Sequence, residues 1–268
     1  MNMIGADFSE SSVEADGFRI RYREAGSGEP LVCLHGGGGL RLSGTHELLA
    51  QRHRVIAFEV PGFGRSPEND RSKTMDELAR TMNAAIAALE LTHYSLLGIS
   101  FGGKLSLAMA MAKPEPVASI VLLGPAAIRL EGGAPPPTRV SPEEALKLLY
   151  AHPERVGPQE PMTPETAAKN RKISERLVGP PRDAPFEERM KSLQMPVLAL
   201  FGTLDRVIPP EVAHLYKETL PSCHIIMVYD AAHAIDADRP EAAASVIDDF
   251  LTRGDKFLVR NTSSAIHR

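Results

Sequence analysis

The chain has 268 residues, a formal net charge of -4 at pH 7 and 43% hydrophobic residues, enough to bury the core of one large α/β domain. The mild acidity, without any basic cluster, leaves no electrostatic footprint for nucleic acid or an anionic membrane surface, so the expected partner is a small-molecule substrate. No run of eighteen apolar residues is present, which excludes a membrane-spanning helix on hydropathy, and no residue spacing calls for a cofactor or a metal.

The segment Met1 to Ser12 is polar and acidic, with neither a basic nor an apolar leader region, and the expected location is cytoplasmic. Cys33 and Cys223 both fall in apolar, strand-like runs and read as buried free thiols. Nothing in the composition fixes an oligomeric state, and a homo-oligomer stays open.

In chain order, residues 18–22 alternate apolar and basic side chains, and a Gly-Ser-Gly turn then leads to the apolar run Leu31-Val32-Cys33-Leu34. This predicts an antiparallel hairpin leading into a buried strand. Residues 55–60 predict another strand, ended by Pro61-Gly62. Thr74 with Glu77 three residues on forms a capping box, predicting a helix to about Leu91 whose core face carries Met75, Leu78, Met82, Ala85, Ile86 and Leu89. Residues 94–97 predict a strand, 101–112 a helix and 117–123 a fully apolar strand.

After Gly124 prolines crowd the sequence, from Pro135-Pro136-Pro137 through Pro158 and Pro161 to Pro185, and only short helical patterns occur, at 141–151 and 163–177. Each of these opens with a Ser or Thr cap, a proline in the first turn and acidic residues behind it. Residues 125–193 therefore read as an insertion. Regular alternation returns with strands at 197–201 and 225–228 and helices at 210–220 and 240–253, while the tail beyond Gly254 reads as loosely ordered. The fold class is α/β: a mostly parallel, doubly wound sheet whose ligands lie beyond the carboxyl ends of the strands, with residues 1–124 and 194–268 forming the core.

The segment Gly98-Ile99-Ser100-Phe101-Gly102-Gly103 stands where a strand meets a helix. Glycines on either side of one serine permit a turn too tight for any Cβ, and such a turn projects the hydroxyl clear of the backbone; the alternative is that Ser100 only caps the helix. A serine hydroxyl is a weak nucleophile at neutral pH and needs a base, which in turn needs an orienting carboxylate. His233 follows one predicted strand and Asp205 another, so both reach the rim that carries Ser100. Asp230, Asp236 and Asp238 lie near His233 in sequence and compete for the orienting role. His35 reads as a structural loop residue with its ring bonded to backbone; Arg65 and Ser66 serve their turn; Arg41, His46 and Lys104 read as solvated or packing residues.

The chain order Ser, Asp, His, the elbow, Leu34-His35-Gly36-Gly37-Gly38-Gly39, Pro61-Gly62-Phe63-Gly64-Arg65-Ser66 and the stretch Gly202 to Pro209 together resemble the α/β-hydrolase superfamily from about Phe18 to Leu251. The resemblance implies Ser100 as nucleophile, Asp205 as acid, His233 as base and the backbone amides of Gly37 and Phe101 as the oxyanion hole. It also implies that the insertion is a helical cap, in which Leu146, Leu149, Tyr150, Met162 and Leu177 either line the pocket or pack on the sheet. Two residues depart from the family pattern: Glu59 stands where Asp is common and Ala232 where Gly is usual. Serine at the elbow argues against the dehalogenase and epoxide hydrolase branches, which carry aspartate there. The activity implied is hydrolysis of a small ester, thioester or lactone. The alternatives are a carbon-carbon bond hydrolase similar to the meta-cleavage product enzymes and a non-enzymatic ligand receptor on the same fold.

Overall fold

The computed structural model describes residues 7–132, 134–155 and 162–256. The tail from residue 257, the first six residues, and Pro158 and Pro161 of the insertion lie outside the described residues. The strands are β1 (Ser9–Ala15), β2 (Phe18–Ala25), β3 (Pro30–Leu34), β4 (Arg54–Phe58), β5 (Tyr94–Ile99), β6 (Val117–Leu123), β7 (Val197–Gly202) and β8 (Cys223–Val228). The helices are α1 (Gly44–Leu49), α2 (Met75–Ala88), α3 (Phe101–Ala112), α4 (Pro142–Leu149), α5 (Pro164–Val178), α6 (Ala184–Met190), α7 (Ala213–Thr219), α8 (Ile235–Asp238) and α9 (Pro240–Arg253).

Among the described residues the strands form one sheet in the order β1-β2-β4-β3-β5-β6-β7-β8. From β4 to β8 neighbours run parallel, whereas β2 lies antiparallel to β4 and to β1. This is the α/β-hydrolase fold. Burial on both faces explains why the central strands read as continuous apolar runs. Along β3, Val32 and Leu34 face the layer of α2, α3 and α7, while Leu31 and Cys33 face α1 and α9.

The hairpin differs from the sequence expectation. Its two strands are β1 and β2, joined by Asp16 and Gly17 at φ 48° and 71°, the left-handed pair that a two-residue hairpin loop requires. The strand from Phe18 therefore turns back onto β1 and β4, not onto the buried strand β3. Strand β1 escapes periodicity because its first residues, Ser9, Glu10 and Ser11, are exposed along a sheet edge.

Helix ends follow the caps seen in the sequence. Thr74 Oγ1 accepts from Glu77 N at 3.2 Å, and Glu77 Oε2 accepts from Thr74 N at 3.2 Å. Ser141 and Thr163 each accept from the backbone three residues on, at 3.3 and 3.2 Å, to start α4 and α5. The segment predicted as a helix from 210 opens instead with a 3-10 turn, Pro210–Val212, before α7. Helices α4, α5 and α6 stand between β6 and β7; the end of α4 and the middle of α5 bond to loops at the carboxyl ends of the strands, and α6 packs against α3 and α7.

Candidate active site

Strand β5 ends at Ile99 and α3 begins at Phe101, so a single residue, Ser100, reverses the chain. Its backbone sits at φ 51° and ψ -110°, a conformation costly for a residue with a Cβ. The strain is held by Ser100 N–H donating to Leu123 O at 2.9 Å and by Ser100 O accepting from Gly103 N and Ala126 N at 2.9 and 3.0 Å. A Cβ on Gly98 would run into Gly102 O and Ser106 Oγ; one on Gly102 would run into the carbonyls of Leu34 and His35. Both glycines are therefore sterically required. The Ser100 side chain makes no cap bond to α3, so the capping alternative does not describe this serine.

His233 Nδ1 lies 2.8 Å from Asp205 Oδ2, and both side chains are buried. The other carboxylate oxygen, Oδ1, accepts from Val207 N at 2.8 Å and Ile208 N at 2.9 Å, so two backbone donors fix the rotamer of Asp205. The loops carrying the two residues are tied by Leu204 N donating to Ala231 O at 2.9 Å. They close on each other at Gly202, where any Cβ would meet the carbonyls of Ala231 and Ala232.

Gly124, at φ 48° after β6, backs the pair: a Cβ there would stand 3.1 Å from His233 Nδ1 and 3.2 Å from Asp205 Oδ2. Since Leu123 O bonds Ser100 N, the elbow and the imidazole converge on adjacent residues at the end of β6. Among the described residues no hydrogen bond joins Ser100 Oγ to His233.

The competing carboxylates of Asp230 and Asp238 have other partners. Asp230 accepts from His152 Nε2 at 2.8 Å and from Arg239 at 3.0 Å, and the bond to His152 leads the effects that hold its carboxyl below the usual range. Asp238, buried, accepts from Ala232 N, Ala151 N and His152 N at 2.8, 2.9 and 3.0 Å. The Asp236 carbonyl accepts from Thr45 Oγ1 at 2.8 Å.

The glycine loop forms a turn in which Gly39 N donates to Gly36 O at 3.1 Å. Gly36 lies against the elbow: a Cβ there would be 3.5 Å from Ser100 Cβ. Gly36 and the amino end of α3 at Phe101 thus flank Ser100, and Gly37, the other position implied as an oxyanion donor, follows Gly36 in the loop with Ser174 against it. His35 is buried and bonds backbone on both sides, with Nε2 accepting from Val60 N at 3.0 Å and Nδ1 2.7 Å from Gly36 O, the arrangement of the neutral Nδ1–H form. Burial pushes its pKa down to about 4.

Glu59 carries out the work of the shorter acid expected there. Its Oε1 accepts from Ser66 N and Ser66 Oγ at 2.9 and 2.8 Å, and its Oε2 accepts from Arg65 N at 3.2 Å and from Arg21. Burial raises the cost of its charge, but these bonds, led by the one from Arg21, hold its pKa below the ordinary glutamate value.

Asn170, which sequence reasoning passed over, and two residues that it named, Lys104 and Leu149, tie the insertion to this site. Asn170 on α5 is buried, donates through Nδ2 to Gly38 O at 2.9 Å and accepts through Oδ1 from Gly64 N at 3.0 Å. Lys104 on α3 is not solvated: it is 2% exposed and donates to Val178 O at 2.9 Å and to Asp183 Oδ2 at 3.2 Å. Burial lowers its pKa, opposed by Asp183. Leu149 O accepts from Ala234 N at 2.8 Å, next to His233. Leu146 is 46% exposed, and the buried leucine of α4 is Leu148. Tyr150 and Leu177 are buried, Arg41 is exposed, and His46 is buried with Nδ1 2.9 Å from Ser43 Oγ. The only sequence signal for Asn170 was a polar residue on the apolar face of α5 beside Ile173 and Leu177.

A cleft of about 740 Å³ is lined by Tyr150, Ala151, Leu204, Asp205, Arg206 and Ala232 among others; neither Ser100 nor His233 lines it. Among the described residues no helix is long and apolar enough to cross a membrane.

Residues 29–157 match a family model described as alpha/beta hydrolase fold. The chain is 26% identical, over 92% of each protein, to 2-hydroxy-6-oxo-6-(2'-aminophenyl)hexa-2,4-dienoic acid hydrolase of Metapseudomonas resinovorans. It is 28% identical to Lipase 1 of Psychrobacter immobilis, over 87% of this chain and 83% of that protein. Among solved structures it superposes on a membrane phospholipase A, described as a bacterial virulence factor, with a TM-score of 0.77 and 24% identity, covering 91% of this chain and 86% of that one.

Proposed function

We propose that this chain, which has the α/β-hydrolase fold and matches that family's model over residues 29–157, is a serine hydrolase that cleaves a small-molecule ester, thioester or lactone through an acyl-enzyme on Ser100. The observation that carries this reading is the buried His233–Asp205 pair, 2.8 Å apart, facing the end of β6 to which the strained Ser100 turn is bonded. In this reading His233 Nε2 takes the Ser100 proton as the hydroxyl attacks the carbonyl, then returns it to the leaving group. Asp205 holds Nδ1 and stabilises the imidazolium. The N–H groups of Gly37 and Phe101 stabilise the tetrahedral oxyanion, each worth on the order of 3 kcal/mol. Water then attacks the acyl-enzyme with His233 again as base. The Ser100 to His233 bond forms when substrate is bound, as catalytic hydrogen bonds in unliganded sites are commonly long. Helices α4 to α6, of which α4 and α5 bond to these loops, serve as the cap that selects the substrate.

A second reading is carbon-carbon bond hydrolysis, favoured by the dienoic acid hydrolase among the relatives. The ester reading leads because Lys104, the cation nearest the elbow in sequence, is already bonded to Asp183 and Val178 O and offers nothing to a substrate carboxylate.

A fluorophosphonate probe tests the common chemistry: the parent is modified at Ser100, while Ser100→Ala and His233→Ala are not. Labelling that persists in Ser100→Ala sinks the assignment. p-Nitrophenyl acyl esters assayed against a ring-fission dienoate then separate the two readings, and turnover of the dienoate alone overturns the first. Stoichiometric retention of ligand without turnover of either would identify a receptor.

A further inference from the structure

Four consecutive glycines, Gly36 to Gly39, carry no side chain with which to hold their own conformation, and glycine has the most conformational freedom to lose. The loop must therefore be fixed from outside. On its inner side Gly39 N–H closes the turn onto Gly36 O at 3.1 Å. The carbonyl of Gly38 belongs to the same peptide plane as that N–H, and it accepts from Asn170 Nδ2 at 2.9 Å. One peptide plane is thus pinned at both ends: Asn170 holds its carbonyl, and its N–H holds Gly36 O, the carbonyl that shares a peptide plane with the Gly37 N–H, so re-aiming that N–H breaks the bond that Asn170 braces.

We propose that Asn170 is a positioning residue for the oxyanion loop: from α5 it sets the direction of the Gly37 N–H and so couples stabilisation of the oxyanion at Ser100 to the docking of the inserted helices. The proposal rests on the acyl-enzyme reading above. The amide bridges two loops, because its Oδ1 accepts from Gly64 N at 3.0 Å; Nδ2 also lies 3.8 Å from Met162 Sδ. At 1% exposure it has no water to substitute for either loop. A donor and an acceptor on one short planar arm are what asparagine supplies; aspartate lacks the donor and leucine lacks both. Gly39, at φ +93°, allows the approach, since a Cβ there would stand 3.1 Å from Nδ2. One helical turn on, Ser174 covers the same loop, with Oγ 2.9 Å from where a Cβ of Gly37 would stand.

The test uses the full chain with p-nitrophenyl acetate as substrate. Asn170→Asp lowers kcat roughly 10- to 100-fold, the range for a misplaced catalytic group, with KM within about threefold of the parent. Affinity for a trifluoromethyl ketone, whose adduct with Ser100 is an oxyanion, falls by the same factor. Affinity for the unfluorinated methyl ketone does not. If Asn170→Asp fails to fold, by its urea midpoint, Asn170→Gln keeps both groups on a longer arm and shows the same shift in the ratio of the two ketone affinities in milder form.

Lys169→Met is the control. Lys169 is on the same helix and donates to Gly64 O and Ser66 O, at 2.8 and 2.5 Å, without touching the glycine loop. It stays within about threefold of the parent in kcat. Parent-like ketone ratios in the Asn170 variants, or an equal loss in Lys169→Met, overturn the positioning role. Ser100→Ala run alongside separates the two levels: turnover surviving in it overturns the acyl-enzyme reading, whereas an inactive Ser100→Ala beside parent-like Asn170 variants overturns this inference alone.

Discussion

Helices α3 and α5 both reach the loops around Ser100, yet they are built in opposite ways. Along α3, residues from Phe101 to Ala110 are buried, mostly apolar, and the helix sits inside the main core. Along the longer α5 only Asn170, Ile173 and Leu177 are buried. Apolar packing therefore sets the place of α3, and with it the nucleophile. The insertion adds a few anchors, Ile173, Leu177, Phe186 and Met190, to that same core, but its registration depends on buried polar bonds: Asn170 to two loops, Lys104 to the end of α5, Asp238 to the end of α4. Apolar contacts tolerate small slides, whereas a buried hydrogen bond fixes position to a few tenths of an ångström and is expensive to leave unmade. The sheet is thus suited to hold the chemistry still, and the insertion to be aligned onto it.

If that contrast holds, changes at the strand ends affect rate without stability, and changes at the polar anchors affect stability first. The largest expected effect is at the strand ends. Ser100→Ala lowers kcat on the order of 10⁶-fold and Asp205→Asn on the order of 10⁴-fold, with the urea midpoint of Ser100→Ala no lower than the parent's, since its hydroxyl bonds nothing that holds the fold. Residual turnover within tenfold of the parent in either variant would break the comparison at its root.

Next comes the anchor at Asp238. Asp238→Ala leaves the N–H groups of Ala151, His152 and Ala232 without their acceptor, which costs about 4 kcal/mol in urea unfolding, while Asp238→Asn, which keeps one acceptor oxygen, costs about half of that. A loss under about 1 kcal/mol in the alanine variant would show that apolar contacts suffice to seat the insertion.

The smallest effect is a pH dependence at the glycine loop. His35, with a folded pKa of about 4, stays neutral where an unfolded histidine takes up a proton. Between pH 6.5 and about 4 the unfolded chain binds more protons, so stability present above pH 6.5 is lost as pH falls, by roughly 3 kcal/mol at most. His46, also depressed by burial, acts with the same sign. Glu59, depressed in turn, adds a loss below the ordinary glutamate range. His35→Gln flattens the upper part of this profile; an unchanged slope in its urea midpoints between pH 6.5 and 4 would show that the ring is not held neutral.

Much of the fold was legible because burial on both faces of a parallel sheet writes apolar runs into the sequence, and because caps such as Thr74 and Ser141 act within three residues. Strand β1 was not, since its pairing with β2 is made by backbone and its first three side chains face water. Helices α1 and α6 are too short, six and seven residues, for a periodic pattern to emerge. The elbow and the strand-end positions of Asp205 and His233 were legible, being tied to local turns. That Asp205, and not Asp230 or Asp238, meets His233 followed from the resemblance and not from local spacing, because the pairing depends on loops converging from separate strands.

By itself the sequence determined what local sterics and short-range periodicity impose: a serine on a glycine-flanked turn, the sheet's apolar strands, and a Pro-rich break where the alternation stops. Only the tertiary structure decided which polar residues act together. Asn170 lies 132 residues from Gly38, and Asp238 lies 86 from His152. A single polar side chain on an amphipathic helix carries no mark of its partner; the partner is chosen when packing removes water from both.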